Sequence, residues 1–502
     1  MEAPTPSSDV PPVLESCIPL PIDESQLLEV VEKAKDWAIM HGAAMRSKTD
    51  FSPDALQFAP FILTPSSFPR KEFEKAVELQ TTLNELMHAA SHDTDFLRDT
   101  LQGTIKVDAF TRSLFEIYEI VLKEGICQPL SLGLLRSDLM LETRCENECR
   151  VQCRRAKAYC CWKQVEINSI ASGFGHLGPA SKSLQSFILR ELGYAEKLAQ
   201  LPENRALYGL CDAMVEAWKL QARPQAVILF VIEDITYNIC DQRFHEFYIR
   251  ETYPHIQVIR RTLTQLQEQA KLGPHRELLL GSENLEVSVI YFRAGYEPGH
   301  YYGEQEWAAR LLMERSSAIK CPSIQYHLAG TKKVQQALAK PGILKRFITD
   351  ERKIDTIKEI FTGLYSLDKN EEGDEAVKLA LSNPERYVLK PQREGGGNNV
   401  YGTDIPAALD KMSEDERSAW ILMERIFPPV SRGYMIRPGG KMPPEIVNLV
   451  SELGIFGAVI GTKDKIIYNK QVGHMLRTKL SSANEGGVAA GLGALDSPYL
   501  ID

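Results

Sequence analysis

The chain has 502 residues and a mass of 56.4 kDa, too long for one compact core and enough for about two to four domains. An apolar fraction of 44% and a charged fraction of 25% are ordinary for a soluble globular protein and exclude collagen-like, coiled-coil and wholly disordered chains. A net charge of -9 with no basic stripe argues against nucleic acid as a partner. The longest apolar run, 226–232, is far short of the ~20 residues that a membrane-spanning helix needs.

Residues 1–24 are rich in Pro, Ser and acid, with no basic start and no long apolar stretch, and read as a disordered tail rather than an export signal. The ten cysteines are therefore expected to be mostly reduced thiols in the cytoplasm. Leu27, Leu28, Val31, Ala34, Ala38 and Met45 fall on one helical stripe, with Trp37 beside it. Phe73, Val77, Leu83, Leu86 and Met87 predict a second helix, and 110–123 a third. A short strand is expected at 164–168, a helix at 181–200, and a buried parallel strand at 226–232, where β-branched residues follow a Pro-containing turn. Further strands at 257–260 and 287–292, separated by helical pattern, give α/β alternation. From 330 onward, strands at 387–390, 421–426, 448–457 and 465–468 have tight Gly or Pro connections and suggest an antiparallel-rich element. The expected organisation is a main domain over 25–230 and 330–502, with a domain inserted at 231–329.

The stretch 144–162 holds five of the ten cysteines. Cys145, Cys149 and Cys153 share one face of a helix, but zinc motifs carry pairs with a matching distant pair. A surface insertion that loops outward is the preferred reading, with a thiol sensor as a weaker one.

The strongest chemical signal is the segment 390–402, KPQREGGGNNVYG. Gly395, Gly396 and Gly397 permit close backbone approach and N–H groups that converge on an anion. Lys390 supplies a fixed positive charge, and Glu394 suits a hard cation that accompanies phosphate. Together these fit nucleoside triphosphate with Mg²⁺; the alternative is a flexible surface hairpin. The loop is neither a Walker A sequence nor the dinucleotide fingerprint. In Val165-Glu166-Ile167-Asn168, strand periodicity puts Glu166 and Asn168 on one face as oxygen ligands for Mg²⁺, or as a plain solvated face. Arg477 and Lys479 precede the small-residue run 486–493, which either closes over a ligand or forms a tail. Arg136, beside turn-like Ser137 and Asp138, and Arg293, after a strand, are suited to a carboxylate. There is no HExxH or GxSxG motif, and the set points to phosphoryl transfer by positioning, for example activation of a carboxylate as an acyl phosphate.

The motifs KPQREGGGNN, VEIN, LAGTKKVQQ, SELGIFG, LRTK and GGVAAGLGALDSPY, ordered between about Leu27 and Tyr499, are written as eukaryotic glutathione synthetases write them. The chain resembles that family of ATP-grasp ligases. The resemblance implies an α/β fold: an ATP-grasp main body, an inserted parallel-sheet substrate domain and an antiparallel glycine-rich lid. It implies a homodimer and a Mg²⁺-dependent condensation of γ-glutamylcysteine with glycine, with ATP as co-substrate. By similarity, Glu166, Asn168 and Glu394 are the metal ligands. Lys332 and Lys390 hold ATP phosphates under Gly395–Gly397, Asn398 and Asn399. Tyr401 lies near the nucleotide, Met423, Glu424, Arg425 and Ile426 form the adenine-facing hinge, and Glu452 serves the ribose. Lys479 and Glu485 complete the nucleotide site. Peptide and glycine contacts fall to Arg136, Ile170, Ala171, Ser172, Gly173, Asn238, Gln242, Arg293, Ala294, Gly295, Tyr296, Arg477, Val488 and Ala489. Arg477, Lys390 and Arg136 are the expected catalytic residues, Arg477 neutralising the acyl-phosphate transition state. The turn 169–175 departs from the family's Ser/Ala-rich form. Two rival readings are the same fold with β-alanine or serine as acceptor, and an inactive nucleotide-binding subunit.

Overall fold

The computed structural model describes residues 11–144, 158–393, 397–484 and 493–502. A seven-stranded sheet forms its centre. In spatial order its strands are Ser431–Ile436, Phe61–Ile62, Gly493–Asp496, Lys465–Leu480, Ile446–Thr462, Ser131–Glu142 and Cys161–Asn168. All pairs are antiparallel except that of Leu495 with Phe61. The backbone of the sheet is a long hairpin of 17- and 16-residue strands, Ile446–Thr462 and Lys465–Leu480, against which Ser131–Glu142 pairs.

Helices cover this sheet for the reason their stripes predict. Arg70–Ser91 buries Phe73, Leu79, Leu83, Leu86 and Met87, and Ala109–Glu124 buries Phe110, Leu114, Ile117 and Val121, in one shared cluster with Leu135, Leu139 and Val459 of the sheet. Glu24–Met40 and Leu177–Glu191 pack into a second cluster with Phe61, Tyr434 and Leu495. Each buried Leu, Ile or Phe contributes about 1.5–3 kcal/mol relative to exposure.

The inserted element is a six-stranded sheet. Val258–Arg261, Val227–Val231, Leu285–Phe292 and Ile319–Cys321 are mutually parallel, and Leu278–Leu280 and Ala270–Leu272 extend it in antiparallel sense. Val227–Val231 is buried at every position, as a parallel strand covered on both faces must be. The proposed boundary at 231 falls at the last residue of this strand. A four-stranded antiparallel sheet, in the order Leu364–Ser366, Trp420–Glu424, Tyr387–Pro391 and Val400–Tyr401, carries the glycine-rich segment between its last two strands in chain sequence before 420. This is the expected antiparallel lid.

Four expectations need correction. Residues from 11 onward are not a loose tail: Val13 bridges Val430, and Leu14, Cys17 and Ile18 are buried, because these apolar side chains cap the ends of both core clusters. The helix expected over 181–200 is Leu177–Glu191, stopped at Gly193 in a left-handed conformation (φ 84°), with a separate 3-10 turn Ala195–Gln200. Arg136-Ser-Asp138 is not beside a turn but inside a twelve-residue strand. Cys160 is disulfide-bonded, whereas Cys17, Cys127, Cys161, Cys211, Cys240 and Cys321 are free as expected. Cys145, Cys149 and Cys153 lie outside the described residues.

Asp496 pins the end of the central sheet. Its buried carboxylate accepts hydrogen bonds from the Ser66 hydroxyl (2.6 Å), the Thr478 hydroxyl (2.6 Å), the Gln185 amide (2.9 Å) and the Ser497 N–H (2.8 Å). Burial nevertheless pushes its pKa from 3.8 up to about 6. Folding therefore takes up a proton between those two values, and this group's contribution to stability falls as pH rises through that window. Asp496→Asn should remove that component: the difference in thermal midpoint between variant and wild type is expected to depend on pH between about 4 and 6 and to level off above it.

Candidate active site

A cleft of about 2890 Å³ opens between the central sheet, the antiparallel lid sheet and the strand ends of the inserted sheet. Of the residues singled out in the sequence, it is lined by Arg136, Glu166, Asn168, Ile170, Ala171, Gly173, Asn238, Gln242, Arg293, Tyr296, Lys332, Lys390, Asn398, Asn399, Tyr401, Met423, Glu424, Arg425, Ile426, Glu452, Arg477 and Lys479. Ser172, Ala294, Gly295 and Gly397 are not on its wall. Glu394, Gly395, Gly396, Glu485, Val488 and Ala489 lie outside the described residues.

The charged floor of the cleft is built on the strand Ser131–Glu142. Arg136 and Asp138 are two residues apart, so both project from one face of the strand. Asp138 is fully buried and accepts two hydrogen bonds from Arg136, from Nε at 2.7 Å and Nη2 at 2.8 Å. The neighbouring strand places Asn168 opposite Arg136, and the Asn168 amide donates to Asp138 Oδ2 at 2.9 Å. On the other side Gly454 stands opposite Asp138. A Cβ at Gly454 would come within 2.6 Å of Met475 Cε, 2.9 Å of Asp138 Oδ1 and 3.0 Å of Arg136 Cδ, so a side chain at this position of the SELGIFG motif would displace the ion pair or Met475. Arg477 completes the group. It stands opposite Glu452 across the long hairpin, donates to that carboxylate through Nε at 2.8 Å, and lies 3.6 Å from Asp138. Burial works against its charge, but Glu452, Asp138 and Glu166 prevail and raise its pKa. The burial of Glu452 raises its own pKa in spite of Arg477.

Glu166 pairs in register with Asp138 from the edge strand. Its burial opposes ionisation, yet Lys332, Lys390 and Arg477 outweigh it and hold the carboxyl far below the usual carboxylate range. Lys332 Nζ lies 3.1 Å from Glu166, and Lys390 Nζ donates to the Val165 carbonyl at 3.2 Å. The position of Lys332 is set by Gln335, one helical turn later. The Gln335 amide accepts from Ile167 N–H at 2.9 Å and donates to Gly330 O at 2.9 Å, docking the helix Lys332–Leu338 on the edge strand. Gln392, just after Lys390, accepts from Lys333 N–H at 3.0 Å and ties the lid strand to the same helix.

At the inserted sheet the wall is organised by Asp241. Its buried carboxylate accepts from the N–H groups of Phe174 (3.0 Å), His176 (3.0 Å) and Leu177 (3.2 Å), and from Arg293 Nη2 (3.0 Å). These bonds hold the turn 169–175, where Ala171 (φ 50°) and Phe174 (φ 77°) adopt left-handed conformations that cost about 1–3 kcal/mol each. Ser172 turns its hydroxyl to the Leu134 carbonyl at 2.6 Å, so it braces the turn. Arg136 Nη1 reaches the Gly173 carbonyl at 3.1 Å, joining the turn to the floor. Gln242 donates to Asn238 at 2.9 Å and accepts from Arg260 at 3.1 Å.

The opposite end mixes apolar and polar side chains. Met423 and Glu424 end a lid strand, and Glu424 is held by Tyr365 and Arg386, each at 3.3 Å. Asn399 donates to the Tyr401 hydroxyl at 3.1 Å, Arg425 lies 5.9 Å from the Tyr401 ring, and Lys479 donates to the Asn484 carbonyl. With Met140, Val388 and Val450 in the same wall, this end is suited to a flat aromatic base, and the lysine-rich middle to phosphates.

Asp138, Gln335 and Asp241 are the residues the sequence reading missed as anchors. The signal for Asp138 was its spacing: Arg-x-Asp in an extended strand shares one face. Gln335 and Asp241 act across the fold and leave no local signal. Asp138→Asn leaves buried guanidinium groups short of an opposing charge. It should lower stability by about 3 kcal/mol or more, read as a reduced thermal midpoint, whereas Gln335→Ala should lower it less and mainly misplace Lys332.

A family model described as eukaryotic glutathione synthase, ATP-binding domain, matches residues 24–500. The glutathione synthetase of Xenopus laevis is 42% identical over 95% of this chain and 98% of its own length, and that of Homo sapiens 41% over the same shares. A solved structure of a glutathione synthetase-like effector from Globodera pallida, in its apo form, superposes with a TM-score of 0.75 at 25% identity, covering 96% of this chain and 98% of that one. With Glu166, Lys332, Lys390, Glu452 and Arg477 of its motifs along one cleft and likeness extending over nearly its whole length, the chain belongs to the eukaryotic glutathione synthetase family of ATP-dependent ligases.

Proposed function

We propose that the chain joins the cysteinyl carboxylate of γ-glutamylcysteine to the amine of glycine, giving glutathione, ADP and phosphate. The observation that carries this reading is the convergence of Arg136, Lys332, Lys390 and Arg477 on one cleft floor beside an ionised Glu166. Lys332 and Lys390 hold the triphosphate, with Gly395, Gly396, Gly397, Asn398 and Asn399 over it. Met423–Ile426 and Tyr401 face the base, and Lys479 and Glu485 close the nucleotide end. Glu452, expected at the ribose, is engaged by Arg477, and its role in this reading is to orient that guanidinium.

The cysteinyl carboxylate attacks the γ-phosphorus, ADP leaves, and the product is an acyl phosphate. The glycine amine attacks its carbonyl carbon, the nitrogen loses a proton, and phosphate departs with one oxygen of the former carboxylate. Charge gathers on the transferring phosphoryl group and then on the carbonyl oxygen. Arg477 and Arg136, preoriented by Asp138 and Glu452, stand ready to offset it without reorganising. The family resemblance assigns Val488 and Ala489 to the acceptor.

Mg²⁺ fits the oxygen donors that are present. Glu166 is ionised, and Asn168 donates its amide N–H to Asp138, leaving its carbonyl oxygen as a ligand. Glu394 is the third proposed ligand. The ion would neutralise phosphate charge. Among the described residues no group of three or more His, Cys, Asp or Glu forms an alternative metal cluster, and no helix is long and apolar enough to cross a membrane. Cytoplasmic residence and a homodimer complete the reading.

The test is ADP release with ATP, Mg²⁺ and γ-glutamylcysteine, with glycine, with β-alanine, and with no acceptor. Glycine-dependent release with glutathione as product is expected. Release only with β-alanine moves the acceptor assignment, and no release with ATP still bound points to an inactive nucleotide-binding subunit. Chelation should abolish turnover and Mg²⁺ restore it. Glu394→Ala should cut turnover by at least about 100-fold with an unchanged thermal midpoint; near-normal turnover removes Glu394 from the metal. Light scattering should give twice the 56.4 kDa chain mass.

A further inference from the structure

The far end of the strand Ser131–Glu142 holds a buried group that the reaction above does not use. Arg136, Met140 and Glu142 stand an even number of residues apart, share one face of this strand and line the cleft. Extended chain from Arg136 to Glu142 spans about 20 Å. The strand that carries Arg136 at the charged floor therefore brings Glu142 to the base end.

Glu142 is 7% exposed, and its two carboxylate oxygens have different partners. Oε1 accepts the N–H groups of Thr143 and Arg144, each at 2.7 Å, and Oε2 accepts the Phe427 N–H at 3.3 Å. Thr143 completes the contact: its N–H at 3.0 Å and its hydroxyl at 2.6 Å both donate to the Phe427 carbonyl. The Arg144 guanidinium lies over the Phe427 ring, 3.7 Å from its centroid.

These bonds fall where the chain passes from the lid sheet to the central sheet. Glu424 and Arg425 donate their N–H groups to the Gly363 and Arg386 carbonyls, both at 2.8 Å, and so are held from the lid side. Phe427 is held by Glu142 and Thr143 from the central sheet. Pro428 and Pro429 have no N–H to give. Val430 then exchanges backbone hydrogen bonds with Pro12 and Leu14, both at 2.8 Å. Ile426 is the residue between the two sets of anchors, and it lines the cleft.

We propose that Glu142 is a positioning residue for the nucleotide. With Thr143 it fixes the central-sheet side of the segment Met423–Phe427, makes Ile426 the pivot between lid and central sheet, and so holds the base-facing segment in place relative to Lys332 and Lys390. This rests on the nucleotide assignment made above and goes beyond it: one strand sets both the arginine that serves the reacting carboxylate and the seat of the base.

The test uses Glu142→Gln in the full chain. A carboxamide has one accepting oxygen. With that oxygen kept toward Thr143 and Arg144, its NH₂ group faces the Phe427 N–H, so the bond to Phe427 is lost while the local turn is retained. Calorimetry with Mg²⁺ compares ATP with tripolyphosphate, which offers phosphates without a base. The variant's Kd for ATP should rise at least about tenfold, with its Kd for tripolyphosphate changed less than about threefold. In turnover, KM for ATP should rise while kcat falls less than about threefold. Thr143→Val, which keeps the side-chain shape without the hydroxyl, should weaken ATP in the same sense by a smaller factor, and it carries the test if Glu142→Gln does not fold. Unchanged ATP affinity, equal weakening of ATP and tripolyphosphate, or a loss confined to kcat each overturns the assignment. Absence of glycine-dependent product from wild type overturns instead the functional reading, and the binding comparison does not depend on product.

Discussion

The bidentate pairing of Arg136 with Asp138 is the interaction around which the cleft is organised. It sits at the junction of three strands: Arg136 and Asp138 on Ser131–Glu142, Asn168 on the edge strand and Gly454 on the long hairpin. A carboxylate buried this completely is tolerable only with opposing charge and several donors. Arg136, Asn168 and Arg477 supply them, and in doing so acquire fixed orientations on the cleft floor. The glycine at 454 fits the same constraint, because the volume a side chain would take is filled by Met475 and the ion pair.

Charge balance then propagates outward. Carboxylates at 138, 166 and 452 alternate with cations at 136, 332, 390 and 477, so each cation is held by a neighbour before any ligand arrives. Such preorganisation suits phosphoryl transfer, where the protein positions and neutralises rather than forming covalent bonds. Exposed pairs elsewhere, such as Lys33 with Glu29, are individually worth little. Gln335 and Gln392 are neutral, yet they link the edge strand, the helix that starts at Lys332 and the lid, and so couple the two lysines to one frame.

Much of this was legible in the sequence because it is local. The apolar run at 226–232, the glycine-rich segment after Lys390 and the helical stripes of Arg70–Ser91 and Ala109–Glu124 each carry their own periodicity or turn chemistry. The strand Ser131–Glu142 was not legible. Its Arg-Ser-Asp centre looks like a turn in one dimension, and only pairing with two neighbours makes a polar strand interior affordable. The same holds for residues 11–23, whose backbone finds partners more than 400 positions away, as in the bridge of Val13 with Val430. Asp241 illustrates the limit: it caps a strained turn from another domain, and nothing within its own helix announces that.

The most direct test of the chemistry assigned to this cleft follows one oxygen atom. γ-Glutamylcysteine labelled with ¹⁸O in the cysteinyl carboxylate is turned over with ATP and glycine, and the released phosphate is analysed by mass. Activation through an acyl phosphate transfers one labelled oxygen to phosphate for each glutathione formed. Phosphate free of label, with glutathione still produced, would contradict phosphoryl transfer to the carboxylate and the roles given to Arg136 and Arg477.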